Sequence, residues 1–466
     1  MPVTRAPEVP DDLWRATSRP RTKRVASSLL RTVPRLDRER PPVVPLDSSL
    51  PVLLLKIGRY SLSHGSLGAL RSLGRAGVPV TLVTESLLAP ACLSRYATRR
   101  IRWPTTGTEP TRLLVDGLAA LGRRQDARSL VIATDDEAAV LVAEHSPELG
   151  DLFVLPPVAP RLPGMLASKR ELFELCGVHG VPTPKTAFPH AASDVVGIAR
   201  DLEFPVVVKS VEPWVRLQHP VVRATTVVTS PEDLLALARG REAFPALVQE
   251  HIPDSASQDW IVAAYFDRRS EPAALFTARK LRSWPPRAGV TTYAQVRSND
   301  VLAETAAAFC RGIAYRGIID MDWRFDERDG QYKLLDANPR LGAQFRLFET
   351  DVGIDVVRAM HLDLSGRAVP CGQQIEGETI IVEHLDVPAR LRYRAIPTRE
   401  ARAEPAGRPR LTWAAADDPL PAAAALAFAL VECVRALRRR ALRLVRGALA
   451  RGWLARRPGP AQVCPS

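Results

Sequence analysis

Two stretches near residue 320 constrain the fold more than anything else in this chain. The first is Arg316-Gly317-Ile318-Ile319-Asp320-Met321-Asp322-Trp323-Arg324-Phe325. The second is Lys333-Leu334-Leu335-Asp336-Ala337-Asn338-Pro339-Arg340-Leu341-Gly342. Asp329-Gly330 between them favours a tight reversal, so the pair predicts a hairpin over 317–326 and 331–337. A strand alternates its side chains, which puts Asp320 and Asp322 on one face. Asp336 and Asn338 share a face at the end of the partner strand. Carboxylates with an amide oxygen, and no Cys or His, are donors for a hard cation such as Mg²⁺ shared with phosphates. Arg340, two residues further on, faces the same way and could stabilise transferring phosphoryl charge. A polar hairpin face in water is the ordinary reading of one pair of acids. It accounts poorly for D-x-D-W followed by L-D-x-N-P-R on consecutive strands.

The rest of the chain frames this hairpin. Residues 1–48 are charged and Pro-rich, too poor in apolar surface to offset chain entropy, and are expected to form a flexible basic arm. Residues 49–160 read as an α/β domain. The apolar run Pro51–Leu55, a Gly65/Gly68 turn, a helix over 67–76 and a strand over 78–83 form a doubly wound βαβ unit. A further strand, Leu130–Ala133, runs into a helix over 137–145; Asp135 and Asp136 between them read as helix N-caps or as ligand contacts. The Gly65/Gly68 turn is not G-x-G-x-x-G, so it gives little support to a dinucleotide site. Residues 161–385 read as α+β. Strands are expected at 205–209, 221–228, 246–250, 261–266 and 273–280, with helices at 169–177, 231–239 and 300–313. Residues 386–420 read as a linker, 421–457 as a basic amphipathic helix and 458–466 as a tail.

Over roughly 50–365 the chain resembles the ATP-grasp superfamily, which includes biotin carboxylase, D-alanine–D-alanine ligase and the carbamoyl-phosphate synthetases. It looks most similar to the carboxylate–amine ligase branch, whose final strand reads close to L-L-D-x-N-P-R-x-G. The resemblance implies an α/β pre-ATP-grasp domain followed by α+β ATP-grasp lobes that clasp ATP, the smaller lobe covering about 187–250. It implies phosphate-binding roles for Lys169 and Lys209. It makes Val248-Gln249-Glu250-His251-Ile252 the inter-lobe hinge, where the Glu250 carbonyl and the Ile252 N–H would read adenine, and it counts Gln249 among the cofactor-binding residues. Asp259 falls where an acid binds ribose hydroxyls. Lys280 falls near the γ-phosphate and substrate, and Arg340 on the active-site arginine. Asp322, Asp336 and Asn338 fall on the Mg²⁺ ligands. The implied activity is a ligase joining a small-molecule carboxylate to an amine through an acyl phosphate. Its implied cofactors are ATP and Mg²⁺, with Mn²⁺ as a substitute. The alternatives are an ATP-binding, membrane-surface module with little turnover, and an ATP-grasp phosphoryl transferase. One departure concerns the segment after Lys209, Ser210 to His219. It has no glycine where a flexible phosphate flap is usual, and carries Trp214, Arg216 and His219 instead.

Composition sharpens two points. Only seven of the 64 basic residues are Lys. Lys is a compact point charge and Arg a planar fork, so a retained Lys suggests a site that wants a point charge. Lys169, Lys209 and Lys280 all fall on implied phosphate positions. The formal charge of +13 is concentrated: nine arginines and no acid lie between Cys433 and Arg457. With the arm's excess removed as well, the body is close to neutral, which argues against a fold-wide nucleic-acid surface. The 421–457 helix has three readings: packed against a partner or solvated, lying on an anionic membrane surface, or binding nucleic acid. No stacking or base-reading pattern accompanies its charge, so nucleic acid is not expected as a partner. No stretch approaches the ~20 apolar residues a membrane span needs. The polar N-terminus predicts no secretory signal, and six scattered cysteines without C-x-x-C suit a reducing, cytoplasmic compartment. Attachment at the inner membrane face is the expected variant of that location. The sequence names neither substrate nor oligomeric state.

Overall fold

The computed structural model describes residues 44–212, 220–222, 225–253, 257–286, 289–393 and 409–431, with 434, 435 and 438. The first unit is a parallel sheet of β1 (Val52–Leu55), β2 (Val80–Thr84), β3 (Arg99–Arg102), β4 (Ser129–Ala133) and β5 (Phe153–Val154), in the order β3-β2-β1-β4-β5. All four β1 side chains are buried, because helices cover both faces, as parallel sheets require. On one face α1 (His64–Arg75) brings Leu67, Leu70 and Leu73 onto Leu54 and Leu82. On the other, α2 (Thr111–Arg123) and α3 (Asp136–Glu144) bring Leu118 and Leu141 onto Leu53 and Val131; the short α4 (Ser146–Leu149) follows. The doubly wound unit expected from sequence is therefore present, and β3 and α2 add to it. Asp135 is the α3 N-cap, accepting from Ala138 N at 3.0 Å, and its other oxygen accepts from Ile57 N and Gly58 N.

Gly65 and Gly68 lie inside α1 rather than in a turn before it. A Cβ at Gly65 would come within 3.1 Å of the Ala343 backbone, and one at Gly68 would collide with Arg346. These glycines let the 342–346 segment close onto the helix.

After α5 (Leu162–Ala167) and α6 (Lys169–Val178) the chain builds a small lobe. Its sheet contains β6 (Thr186–Ala187), β7 (Val206–Ser210), β8 (Thr226–Val228) and β9 (Ala246–Glu250), in the order β6-β9-β7-β8. Val206, Val208 and Val248 face α7 (Asp194–Asp201) and α8 (Pro231–Ala238) in one apolar core. Strand alternation turns Val207, Lys209 and Gln249 to the opposite face.

The large sheet follows, with β10 (Ser257–Phe266), β11 (Pro272–Trp284), β12 (Val290–Val296), β13 (Gly317–Asp326), β14 (Gln331–Asn338), β15 (Thr379–Ile381) and β16 (Arg410–Leu411). Its order is β14-β13-β10-β11-β12-β15-β16. One face packs on α5, α6 and α9 (Asp300–Gly312) through Leu166, Phe309, Met321 and Trp323. The other shares a core with the first domain and α10 (Val356–Leu364), where Ile318, Ala263 and Phe276 join Leu67 and Leu70. The expected hairpin over 317–326 and 331–337 is β13–β14.

The expected linker over 386–420 is corrected in part. α11 (Glu383–Tyr393) extends into it, and β16 adds a strand to the large sheet. Asp418 is buried against Arg71 of α1 at 3.0 Å, and Asp417 binds Arg75 at 2.8 Å and Tyr96 at 2.6 Å. The chain therefore returns to strap the first domain to the body. The segment reads as linker because its acids, Asp417 and Asp418, find their arginines on α1 more than 300 residues away, which local patterning does not register. Residues 420–431 are helical; most of the arginine-rich stretch beyond lies outside the described residues. Among the described residues no helix is long and apolar enough to cross a membrane.

Candidate functional site

The β13 face that packs Ile318 into the core turns polar two residues later. Asp320 stands opposite Asn338, and Asp322 opposite Asp336. A β-bulge after this pair sets Trp323 against Leu334, leaving Leu335 as the extra residue. The bulge changes the parity of β14, so that Leu334 fills the core while Asp336 and Asn338 face the acids. On the other side of β13, Asp259 pairs with Arg324 and Ile261 with Asp322. Lys280 of β11 reaches the same face, its Nζ 2.7 Å from Asp322 Oδ1.

Three cations close over this acidic face from three elements. Lys169 opens α6, where Ser168 accepts from Glu171 N as N-cap and Lys169 N donates to Val211 O at 2.9 Å. Its ammonium is ion-paired with Asp336. Lys209 projects from the small lobe and donates to Gln249 Oε1 at 3.0 Å; Gln249 is fixed in turn by Thr186 Oγ1 at 2.8 Å. Arg340 follows β14, its Nε 3.2 Å from Asp136 Oδ1 and its Nη1 3.7 Å from Asp320 Oδ2. Leu341 N donates to Ala133 O at 3.1 Å, so the segment carrying Arg340 is tied to the end of β4.

These neighbours set the charge states. Burial works against the Lys280 ammonium, but Asp322 and Asp259 outweigh it and hold its pKa above the ordinary lysine value. Burial, reinforced by the nearby Lys169 charge, pushes Lys209 down to about 8. Burial would raise Asp336, yet Lys169 holds it below the usual carboxylate range. Burial lifts Asp320 to about 7, with Arg340 opposing and Asp322 adding to the rise. Burial disfavours the Arg340 charge, and Asp136 and Asp320 more than restore it.

The sequence-predicted residues thus gather in one place: Lys169, Lys209, Lys280, Asp322, Asp336, Asn338 and Arg340 share it. The hinge residues make contacts of their own with the protein. The Glu250 carboxylate turns away to Lys185 N, at 3.1 Å, and to Lys333, at 3.5 Å. The Ile252 carbonyl accepts from Arg324 Nη1 at 3.3 Å. Asp259 is held by Arg324 through two bonds of 2.6 and 2.9 Å, so the structure gives it a protein partner. Trp214, Arg216 and His219 lie outside the described residues.

Asp320 is the residue that sequence reasoning left out of the metal set. It is 8% exposed, and its Oδ1 has no hydrogen-bond partner among the described residues. Strand alternation already placed it on the face of Asp322. No three of the His, Cys, Asp or Glu side chains described converge at metal-ligand distance. Asp322 and Asp336 repel one another, and each is drawn to a lysine. The donor set still fits a hard cation. It offers carboxylates, one with an orphaned buried oxygen, and the Asn338 amide, whose Nδ2 donates to Asp320 O at 3.2 Å.

No protein-family model matches the chain. It is 30% identical over 241 residues to D-aspartate ligase of Enterococcus faecium (strain Aus0004), across 49% of this chain and 57% of that one. The chain therefore spans little more than half the length of this curated relative. Among solved structures it is similar to N5-carboxyaminoimidazole synthetase from Staphylococcus aureus complexed with ADP. The TM-score is 0.54 at 12% identity, covering 78% of this chain and 92% of that one. It is also similar to a biotin carboxylase–β-γ-ATP complex from Campylobacter jejuni, with TM-score 0.51, 15% identity and coverage of 71% and 74%. The chain has the ATP-grasp fold. Its likeness to D-aspartate ligase is one of sequence over about half of each chain, and its likeness to the solved structures is one of fold.

Proposed function

We propose that this protein is an ATP-dependent ligase that joins a carboxylate to an amine through an acyl phosphate, with Mg²⁺ as its metal. One observation carries the reading: Lys169, Lys209, Lys280 and Arg340 converge from separate elements on the Asp320, Asp322, Asp336 and Asn338 face. Fixed cations of this kind bring an anionic carboxylate up to an anionic γ-phosphate and hold charge that develops there. A carboxylate oxygen attacks the γ-phosphorus as the bond to ADP breaks. The amine nitrogen then attacks the acyl carbon, and phosphate leaves with its C–O electron pair; the amine's proton passes to solvent or phosphate. A divalent ion held by Asp320, Asp322, Asp336 and Asn338 would supply phosphate charge neutralisation. Lys169 and Lys209 bind phosphate oxygens, Lys280 faces the γ-phosphate, and Arg340 holds the acyl-phosphate oxygens. Gln249, the Glu250 carbonyl and the Ile252 N–H hold adenine, and Asp259 the ribose. No enzyme nucleophile is needed.

The test is ADP release across a panel of acids and amines, with mass spectrometry of the product. ADP that appears only when a cognate acid and amine are both present supports ligation. A stable phosphorylated acid would favour the phosphoryl transferase instead. ATP hydrolysis unchanged by Asp336→Ala and Lys209→Ala would sink both.

A second reading concerns location. Leu426, Leu430 and Val434, spaced four apart, are 63%, 59% and 55% exposed, and the nine arginines follow without an acid. Such a stripe beside such charge suits an anionic membrane surface. Flotation with anionic liposomes by the full chain, and its loss on truncation after residue 420, would support it.

A further inference from the structure

The two sides of α11 are built for different surroundings. Its inner side packs on the large sheet, with Asp386, Ala389 and Tyr393 buried at helical spacing. Asp386 accepts from Arg282 Nε and Nη2, both at 2.9 Å, and from Thr292 Oγ1 at 3.0 Å. Tyr393 Oη accepts from Ser283 N at 3.3 Å. The outer side carries Val387 and Leu391, one turn apart and 64% and 65% exposed. Two further apolar side chains flank the helix. Leu411, 45% exposed, precedes Thr412, whose N and Oγ1 donate to Glu383 at the start of α11. Val290, 51% exposed, pairs with Trp284, next to the Ser283 that meets Tyr393 at the helix end.

Charge of one sign surrounds these side chains. Arg390 and Arg392 lie exposed on either side of Leu391, and Arg390 reaches Asp386 only at 4.0 Å. From Val387 to Arg410 the chain has seven arginines and two acids. The acids of α11 are turned inward: Asp386 holds Arg282, and Glu383 accepts from Thr412 N, Trp413 N and Ala414 N. Single exposed apolar residues are normal, but four around one arginine-rich helix call for a partner. A second copy meeting this face with its own would set arginines against the same arginines. An anionic bilayer suits both features, since acyl chains take the apolar residues and headgroup phosphates take the guanidinium groups.

We propose that the outer face of α11 lies on an anionic membrane surface, with Val387 and Leu391 at the acyl boundary and Arg390 and Arg392 on lipid phosphates. The proposal deepens the second reading above, which concerns the C-terminal helix alone, by adding a contact on the folded body. Through Asp386 this contact is tied to Arg282 of β11, the strand that carries Lys280 into the site. Contacts on both tail and body would fix how the site faces the bilayer, which a tail alone does not.

The test is co-sedimentation of the full chain with vesicles of phosphatidylglycerol and phosphatidylcholine in equal parts, at low ionic strength, with pure phosphatidylcholine vesicles as control. Binding to the anionic vesicles alone is expected. Val387→Asp with Leu391→Asp should weaken it by about tenfold or more. Arg390→Gln with Arg392→Gln should weaken it severalfold and flatten its salt dependence. All four positions are exposed, so urea midpoints and Mg·ATP binding should match the wild type and show that the variants are folded. Leu426→Asp with Leu430→Asp, also in the full chain, reports on the C-terminal helix separately. Wild-type binding by the α11 variants would overturn the proposal, and loss in the Leu426/Leu430 variant would then leave the tail reading standing. Loss in the α11 variants with wild-type binding by the Leu426/Leu430 variant would retain the proposal and reject the tail reading. A wild type that light scattering shows to be a dimer, made monomeric by Val387→Asp with Leu391→Asp, would give this face to a second copy and overturn the proposal. No binding of the wild type to anionic vesicles would reject both.

Discussion

Arg340 Nε lies 3.2 Å from Asp136 Oδ1, so a residue at the end of the large sheet's hairpin is held by the first turn of a helix in the first domain. The same guanidinium is 3.7 Å from Asp320. If Arg340 acts as proposed, Asp136 is expected to be a positioning residue that keeps it over the acidic face. Asp136→Asn removes the charge of this ion pair, which is not a hydrogen bond, since Asp136 Oδ1 has no hydrogen-bond partner among the described residues. The expected outcome is a roughly ten- to hundredfold fall in kcat with Mg·ATP affinity little changed. Arg340→Lys should not rescue it, since one ammonium does not reproduce the two-sided fork. Steady-state ADP release alongside equilibrium nucleotide binding checks both.

Gly342 controls Asp320. A Cβ at Gly342 would collide with the Asp320 carboxyl group. Gly342→Ala should displace that carboxylate and weaken Mg²⁺-dependent nucleotide binding about as much as Asp320→Asn does, while metal-free nucleotide binding changes less. Removing metal with EDTA should reduce the wild type to the level of either variant. A Gly342→Ala protein whose metal dependence matches the wild type would separate Asp320 from the metal.

Much of this was legible in the sequence, and the limits were physical. The hairpin could be read because its alternation and its Asp-Gly turn are local. The three lysines stood out because the chain otherwise uses Arg. Asp320 was visible as a strand neighbour of Asp322, but its orphaned oxygen depends on burial beneath Gly342, which strand period does not carry. Asp259, which the resemblance implies as a ribose ligand, also pairs with Arg324 across 65 residues, a partner set by strand register that local sequence does not display. The 409–418 strap was read as linker because Asp417 and Asp418 find their arginines on α1, more than 300 residues earlier.

That strap gives two contrasting substitutions. Asp418 is 2% exposed and binds Arg71 Nε, Ser94 Oγ and Arg95 N. Asp418→Ala leaves the buried Arg71 guanidinium with backbone carbonyls alone, and should cost about 3–5 kcal/mol. The neighbouring Asp417 is 39% exposed and sits at the edge of the joint. Asp417→Ala should cost about 1 kcal/mol or less. Urea unfolding at constant pH distinguishes them: Asp418→Ala should lower the midpoint far more than Asp417→Ala. Equal stability losses would mean that the strap is held by β16 rather than by this ion pair.

His64 is expected to make the fold sensitive to acid. It begins α1, is 6% exposed, and lies edge-on to Trp413 of the strap with ring centroids 6.1 Å apart. Its Nε2 has no hydrogen-bond partner among the described residues. Burial, with His384 nearby, pushes its pKa down from 6.5 to about 4. The folded state therefore binds fewer protons than the unfolded chain between these values, and stability falls as pH falls through that window. Above pH 6.5 the imidazole is neutral in both states and contributes nothing to the slope. By pH 4 the loss attributable to His64 approaches about 3 kcal/mol. His361 and His384 are also pushed down by burial and steepen the same limb. The informative quantity is thus the difference between the wild type and His64→Gln. The variant should be less stable at pH 7.5, because packing against Trp413 is lost, and should lose less on acidification to pH 4.5. Denaturant midpoints taken every half pH unit measure this directly. Parallel curves for the two proteins would mean that His64 gains its proton in the folded state as readily as in the unfolded one, and that the strap, not the imidazole, sets the acid limit.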